Sequence, residues 1–599
     1  MNHKRTVVIA ILAAMALPNL FATDIIYNYS TPLINHDNGQ RTDPEEVVAS
    51  ADGYFLSLFK LGATATTNKA TFFGRDLPED VANAEFYVGN SYNSYRILTK
   101  HDAKGEVKWQ VATTEGDIYE AYVAPTSDGG AVLVLNSRYE NSKEYKSNKV
   151  VELIDEKGNR KSVEVEPEEP YKRIQHYNIA IINGNGEVTK TKIFASNIEI
   201  NKTSIRSVIT DNDDNIYIAG YHNVTFTFGE TQVTPHNGED NYSAFLVKLD
   251  KELNYKAHST SESEATKDQI DELLFDNGTL YVVGQVTARV SFSFGGKTDA
   301  NAEASPEKKN ELWVAALDAN DLSGKYLHIY PTPLFEGEKT NQYQPRSLVA
   351  NDGYLYLSGG AQKGGFVIGE ESIIQKDKQF HGFVAKIDAN DGSLKDAYLL
   401  DTGISQLTTV LPVNKNQFYI FGYDWSRSST GETINLYHFV DKNKITLDNT
   451  INLLNQGQMI ASFGAAKIGN DYVFASTYRG GGAKLYGNDE EIIANSPFTG
   501  ISFGYTISAD DTAITSKTNN NIKVEAAKGA LRIEGAEGET AQIFDLTGRL
   551  VANQKITSNA ESINLSSGIY ILKINNITKK VRLAAQRRKG QLTYKTKSH

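Results

Sequence analysis

The sequence predicts an all-β protein built as a radial repeat of short antiparallel strands, followed by a small terminal β-sandwich. Three observations carry this. First, one strand-turn theme recurs from about residue 24 to residue 509. Second, Tyr 32 and Phe 25 stand beside Met 3, and aromatic side chains suit the pleated, half-buried surface of a sheet. Third, the chain is 599 residues long and 40% hydrophobic, enough apolar material for several domains or one large β body.

The clearest copy of the theme opens with Arg206-Ser-Val-Ile-Thr-Asp-Asn-Asp-Asp-Asn-Ile-Tyr-Ile-Ala-Gly220. It continues through Val224-Thr-Phe-Thr-Phe-Gly229 to Ser243-Ala-Phe-Leu-Val-Lys-Leu-Asp250. Each piece is a short β-branched or aromatic run closed by Asp, Asn or Gly, the residues that tight turns favour. The same order returns at Asp276-Asn-Gly-Thr-Leu-Tyr-Val-Val-Gly284 with Leu312-Trp-Val-Ala-Ala-Leu-Asp318. It returns again at Asn351-Asp-Gly-Tyr-Leu-Tyr-Leu-Ser-Gly359 with Gly382-Phe-Val-Ala-Lys-Ile-Asp388. Weaker copies begin near Ala51, Ser127, Asn416 and Asn470.

About seven such units, each roughly 50 to 90 residues, indicate a repeat architecture rather than separate domains. Four short strands per unit suit a blade of a β-propeller, whose inner strands are covered on both sides by neighbouring blades. Double cover explains why Ser243 to Leu249 is apolar on both faces instead of alternating. A solenoid or two stacked sandwiches is the alternative arrangement. The fold class expected is thus a single β-propeller of about seven four-stranded blades followed by a small C-terminal β-sandwich. The paired strands of the three middle copies also resemble the bacterial β-propeller repeat family. Ile25-Ile-Tyr-Asn-Tyr29 is a lone strand ahead of the first unit, and we expect it to complete the last blade, spanning about Ile460 to Ile507.

The chain begins with a basic Met1-Asn-His-Lys-Arg5 and an apolar stretch from Thr6 to Leu17. This reads as a secretory signal peptide over residues 1–22, too short for a stable membrane-spanning helix. The β-propeller is expected over 23–509. Residues 510–521, Asp510-Asp-Thr-Ala-Ile-Thr-Ser-Lys-Thr-Asn-Asn-Asn521, read as a polar linker. Residues 522–583 read as the sandwich and 584–599 as a basic tail.

The terminal unit reads Ala541-Gln-Ile-Phe-Asp-Leu-Thr-Gly-Arg-Leu-Val551, then Ser562-Ile-Asn-Leu-Ser-Ser-Gly-Ile-Tyr-Ile-Leu-Lys-Ile574, then Thr578-Lys-Lys-Val-Arg-Leu583. This stretch resembles the C-terminal sorting domain of the type IX (Por) secretion system of Bacteroidetes. The matching positions are Phe544, Asp545, Leu546, Gly548, Leu565, Gly568, Tyr570 and Lys573. The resemblance implies recognition by the type IX outer-membrane translocon, and hence a cell-surface or extracellular location. Family members usually stop soon after the basic stretch, whereas here Ala584 to His599 continues.

Charge and composition exclude several classes. A net charge of −12 argues against nucleic-acid binding, which rests on cationic phosphate contacts. Zero cysteines exclude disulfides, thiol catalysis and Cys-ligated zinc. No second stretch approaches membrane-spanning length. Asp211-Asn-Asp-Asp-Asn215 mimics the start of a calcium loop, but Ile216 stands where that loop needs glycine and His222 where it needs a bidentate glutamate. His101, His176, His381 and His438 recur near the third strand of different units; we read them as local hydrogen-bonding residues rather than a metal ring. No metal and no cofactor are expected.

No phosphate loop, serine-nucleophile elbow or sialidase Asp-box occurs, so no catalytic residue can be assigned. Of the three tryptophans, Trp313 belongs to a predicted inner strand. Trp425, in a polar loop, is the candidate platform for a ligand, against the plainer reading that it packs beneath its own loop. Glu164-Val-Glu-Pro-Glu-Glu169 reads as a solvated acidic insertion. The functional expectation is an exported binding or scaffold module for an extracellular protein or glycan. A glycan-active hydrolase or lyase with its site in the propeller funnel is the alternative, marked by converging carboxylates.

Overall fold

The computed structural model describes residues within 24–508 and 523–583, apart from internal segments of which the longest is 77–93. The chain divides into two units, Asp24–Ser508 and a second that holds the C-terminal strands. Among the described residues there is no helix.

Besides four small sheets of two or three strands, the larger unit contains, among the described residues, seven antiparallel sheets of four or more strands. Their first strands are Thr42–Ala49, Asp117–Pro125, Thr203–Thr210, Lys267–Asp276, Gln342–Asn351, Ile404–Asn414 and Leu454–Ile468. Each first strand contacts the first strand of the next sheet, and Thr42–Ala49 also packs on Leu454–Ile468. The first sheet gains two strands, Val150–Asp155 and Arg160–Glu164, from the excursion in the second repeat. Glu164 ends that hairpin, and the rest of the acidic insertion lies outside the described residues.

The seventh sheet joins the two ends of the unit. Asp24–Pro32 pairs antiparallel with Phe498–Ser508, setting Asp24 opposite Ser508 and Tyr27 opposite Tyr505. Tyr29 is buried there, with its hydroxyl 3.0 Å from Ser502 Oγ. The backbone amide of Gly500 donates to Thr42 Oγ1 at 2.8 Å, linking this sheet to the first.

Packing follows from the repeat. Second and third strands such as Ile216–His222 and Ser243–Leu249 are buried almost throughout, as a sheet covered on both faces requires. The aspartate ending the third strand closes a local turn: Asp250 Oδ1 accepts from the amides of Glu252 and Asn254 at 3.0 and 2.8 Å. The motif lysines tie neighbouring sheets together. Lys248 Nζ donates to Ala319 O at 2.7 Å, and Lys386 Nζ meets Asp441 Oδ2 at 2.7 Å. Burying the stem while the ammonium reaches a carbonyl or carboxylate keeps such a charge tolerable inside.

The C-terminal unit has a three-stranded sheet, Lys523–Ala527, Ala530–Glu534 and Ala560–Asn564, and a four-stranded sheet. The latter runs Leu550–Lys555, Thr540–Asp545, Gly568–Ile574, Ile577–Leu583. Leu531, Ile533, Ile543, Ile563, Leu572 and Ile574 from both sheets form one core. Residues 1–23, 509–522 and 584–599, which contain the expected signal peptide, linker and basic tail, lie outside the described residues.

Candidate functional site

The site begins with a backbone irregularity repeated in all seven sheets. Where the first strand pairs with the second, an extra residue is inserted at an equivalent place, with further shifts of register in the sixth and seventh sheets. It is Glu45, Tyr119, Arg206, Asp271, Arg346, Thr408 and Phe463 in successive sheets. Such a β-bulge re-aims the side chain it carries.

The repeat glycine makes room for it in four sheets. Gly220, Gly284, Gly359 and Gly422 stand opposite the residue just before the bulge. A Cβ added to them would lie 1.9, 2.1, 2.2 and 2.5 Å from the carbonyl oxygens of Ser204, Gln269, Gln344 and Gln406. Close backbone approach, not unusual φ, demands glycine here.

The bulges of the third, fourth and fifth sheets open onto one cavity of about 440 Å³, lined in part by Arg206, Lys267, Asp271, Glu272, Gln344 and Arg346. Asp271 accepts from Gln285 Nε2 at 2.8 Å and from Gln269 Nε2. Its pKa is raised by burial, although Gln285 and Arg206 oppose the shift. Glu272 is pushed up to about 8, chiefly by burial and then by the neighbouring Asp271 charge, with Arg346 opposing. These side chains keep part of their surface accessible while protein surrounds them, the geometry of a narrow recess.

Further carboxylates stand nearby on the first sheet. Glu46 is raised to about 7 by burial, while accepting the Val123 amide at 2.9 Å, and its charge adds to the upward shift of Glu272. Glu45 is raised by burial and restrained by Arg96, whose Nε donates to Glu45 Oε2 at 2.5 Å. Two of the cavity's cations lie against aromatic rings. Lys267 Nζ is 4.6 Å from the Tyr221 ring centroid and 5.8 Å from Tyr242. The Arg206 guanidinium is 5.3 Å from Tyr221. Burial and then Arg206 lower the pKa of Lys267.

Residues singled out in the sequence fall elsewhere. Trp425 is the last residue of the strand Gln417–Trp425, opposite Ile404, rather than in a loop; its side chain lies outside the described part. Trp313 is fully buried between Phe292 and Phe294, and Trp109 is buried with its Nε1 donating to Gly184 O at 3.1 Å. His101, His176, His381 and His438 sit on third strands. His101 contacts Ser57 Oγ at 2.8 Å, His381 contacts Leu400 O at 2.9 Å, and His438 contacts Asp448 at 3.0 Å.

The calcium-like Asp211 spends its carboxylate on its own turn, accepting from the amides of Asp213 and Asn215, Asn215 Nδ2 and the Tyr217 hydroxyl. Among the described residues no group of three His, Asp or Glu side chains is placed to hold a metal.

Of the sorting-signal residues, Phe544 and Asp545 pair with Ile571 and Tyr570 on adjacent strands. Tyr570 is buried and its hydroxyl donates to Ser566 O at 3.0 Å. Gly568 opens the same strand, Lys573 on it is exposed, and Leu565 is half-buried. Leu546 and Gly548 lie outside the described residues.

Arg206, Lys267, Asp271, Glu272 and Arg346 received no functional role from the sequence. The signal was positional. Arg206, Asp271 and Arg346 each stand five residues before the turn residue of their repeat, Asp211, Asp276 and Asn351. Stacking the copies on that residue exposes a column holding Arg, Asp and Arg.

Residues 510–581 match the family described as "Domain of unknown function (DUF6383)". No curated protein matches. Among solved structures, an ulvan lyase described as a new family of polysaccharide lyase is 7% identical, with 78% of this chain and 97% of that chain covered at a TM-score of 0.33. A quinohemoprotein alcohol dehydrogenase from Pseudomonas putida HK5 is 10% identical, covering 81% and 76% at 0.33. PorZ, described as a surface component of the type-IX secretion system of Porphyromonas gingivalis, is 9% identical, covering 93% and 100% at 0.15. Likenesses at this level carry no functional argument. Among the described residues no helix is long and apolar enough to cross a membrane.

Proposed function

We propose that this protein is an exported, cell-surface or secreted β-propeller of seven four-stranded blades. It acts as a binding or scaffold module whose ligand enters the central funnel. The carrying observation is the cavity onto which the bulges of three adjacent sheets aim polar side chains. The order of the sheets and the pairing of Asp24–Pro32 with Phe498–Ser508 support the propeller reading. Filling the cavity with Gln344→Trp tests the function. On an array of glycans and extracellular proteins, the full-length protein should capture a ligand that the equally folded variant does not. Capture unaffected by the tryptophan would reject the funnel.

Delivery is assigned to the C-terminal unit, which we take as a sorting domain for the type IX outer-membrane translocon. Truncation at Asn520 should leave the cargo in the periplasm upon fractionation. Truncated protein found at the surface would reject the assignment.

A second reading, a glycan-active hydrolase or lyase, is favoured by one observation. Glu272, raised to about 8, puts a proton-holding carboxyl in the cavity wall at neutral pH, with Glu46, raised to about 7, within electrostatic reach of it, as acid–base chemistry requires. Release of new chain ends from a polysaccharide, abolished by Glu272→Gln, would establish it over simple binding.

A further inference from the structure

Enclosed cations in this protein are normally partnered. Arg96 is held by Glu45 and by Tyr119 O at 3.0 Å. Arg289 meets Glu311 at 2.9 Å, and Lys100 meets Asp52 at 2.7 Å as well as Gly129 O. The cavity between the third, fourth and fifth sheets is built differently, from exposed Arg206 and Arg346 and half-buried Lys267. The side chains of Arg206, Lys267 and Arg346 all line it. None of the three makes an ion pair or side-chain hydrogen bond among the described residues. Three like charges therefore border one solvent-accessible recess, and Arg206 and Lys267 both lie over the Tyr221 ring.

The acids beside them offset this charge only in part. Asp271, which accepts from Gln285 and Gln269, and Glu120 both attract Arg206, whereas burial pushes Glu272 up to about 8. A recess that concentrates positive potential in a protein of net charge −12 is complementary to an anion. Guanidinium groups match planar or tetrahedral oxyanions through paired N–H donors.

The remaining lining indicates what carries the anion. Gln344 Oε1 accepts from Gln406 at 2.5 Å, leaving its amide protons uncommitted, and Gln342 also faces the space. Such amides pair with hydroxyl groups. The lining holds little aliphatic surface, and the volume falls in the range of small-ligand sites.

We infer that this cavity is a receptor for an acidic saccharide, its carboxylate or sulfate lodged among Arg206, Lys267 and Arg346 and its hydroxyls on the glutamine amides. This deepens, and rests on, the reading of the funnel as a ligand site. The test is calorimetric titration of the full-length protein with a uronate oligosaccharide, a sulfated oligosaccharide and a neutral one of equal length. The wild type, Arg206→Gln/Arg346→Gln and the surface control Lys157→Gln are compared at low and high salt. At least one acidic arm should bind, weaken by roughly tenfold or more in the double variant, weaken with salt, and be unchanged in the control. The arm that binds identifies carboxylate or sulfate.

Lys267→Met replaces the double variant if that protein's thermal midpoint shows it unfolded. Equal binding of the neutral saccharide by wild type and variant overturns the charge assignment. So does absence of any saccharide binding while Gln344→Trp still blocks another ligand; in both cases the funnel survives. No saccharide binding together with no effect of Gln344→Trp overturns both readings.

Discussion

The third to sixth sheets and the first, second and seventh carry the same bulge by different means. In the former, a repeat glycine faces the residue before the bulge, and a carbonyl occupies the space a Cβ would need. In the latter, Phe59, Ser137 and Ser476 stand at that place. The bulge therefore belongs to the architecture, and glycine sets how closely the two backbones approach. The groups also differ in construction. The third to sixth sheets are each one continuous stretch of chain, whereas the seventh borrows its fourth strand from the N-terminal end.

The sharpest way to break that contrast is to remove residues 24–30. The buried Tyr29 goes with them and the Phe498–Ser508 strand loses most of its pairing on that side, so we expect the unit Asp24–Ser508 to lose roughly 5 kcal/mol or more. Chemical denaturation reads this out, and an unchanged midpoint would show the composite sheet to be dispensable. Next comes Gly284→Ala, which places a methyl 2.1 Å from Gln269 O and 2.5 Å from Trp313 and should cost about 3 kcal/mol. Ser476→Gly in the seventh sheet should cost about 1 kcal/mol or less. Similar losses for the two would erase the distinction drawn here.

Lys386→Met strands Asp441 between the fifth and sixth sheets, with the Tyr356 hydroxyl its one remaining side-chain partner among the described residues. The expected cost is about 2 kcal/mol, checked by the same denaturation. The smallest effect is a slope. Glu46 and Glu272 have folded pKa values above their ordinary 4.5, so the native state binds their protons more tightly than the unfolded chain does. Stability from these groups is fully present below about pH 4.5 and is lost as the pH rises toward about 8. Glu272→Gln should flatten the upper part of that decline in thermal midpoint, and an unaltered profile would place its titration elsewhere.

Much of the local architecture was legible beforehand. The Asn/Asp-Gly turns, the aromatic second strands and the Val-Lys-Leu-Asp third strands follow from short-range propensity, and the structure places strands at each. The lone N-terminal strand was legible as well, because an apolar run without a neighbour in sequence needs one in space. The site was not. Trp425 drew attention as an aromatic in a polar loop, yet it closes a strand. Asp211 mimicked a calcium ligand, but its oxygens are consumed by neighbouring amides. Arg206 and Arg346, surrounded by ordinary strand residues, offered no motif.

Sequence alone determined that the repeat is built of short strands and where its main turns fall, since side-chain branching and turn preference act over a few residues. Tertiary structure decided which charges meet. Arg206, Lys267 and Arg346 lie up to 140 positions apart, and what unites them is the bulge of the third and of the fifth sheet with the start of the first strand of the sheet between. Electrostatic meaning depends on distances through space and on the exclusion of water, and neither is encoded within any one repeat.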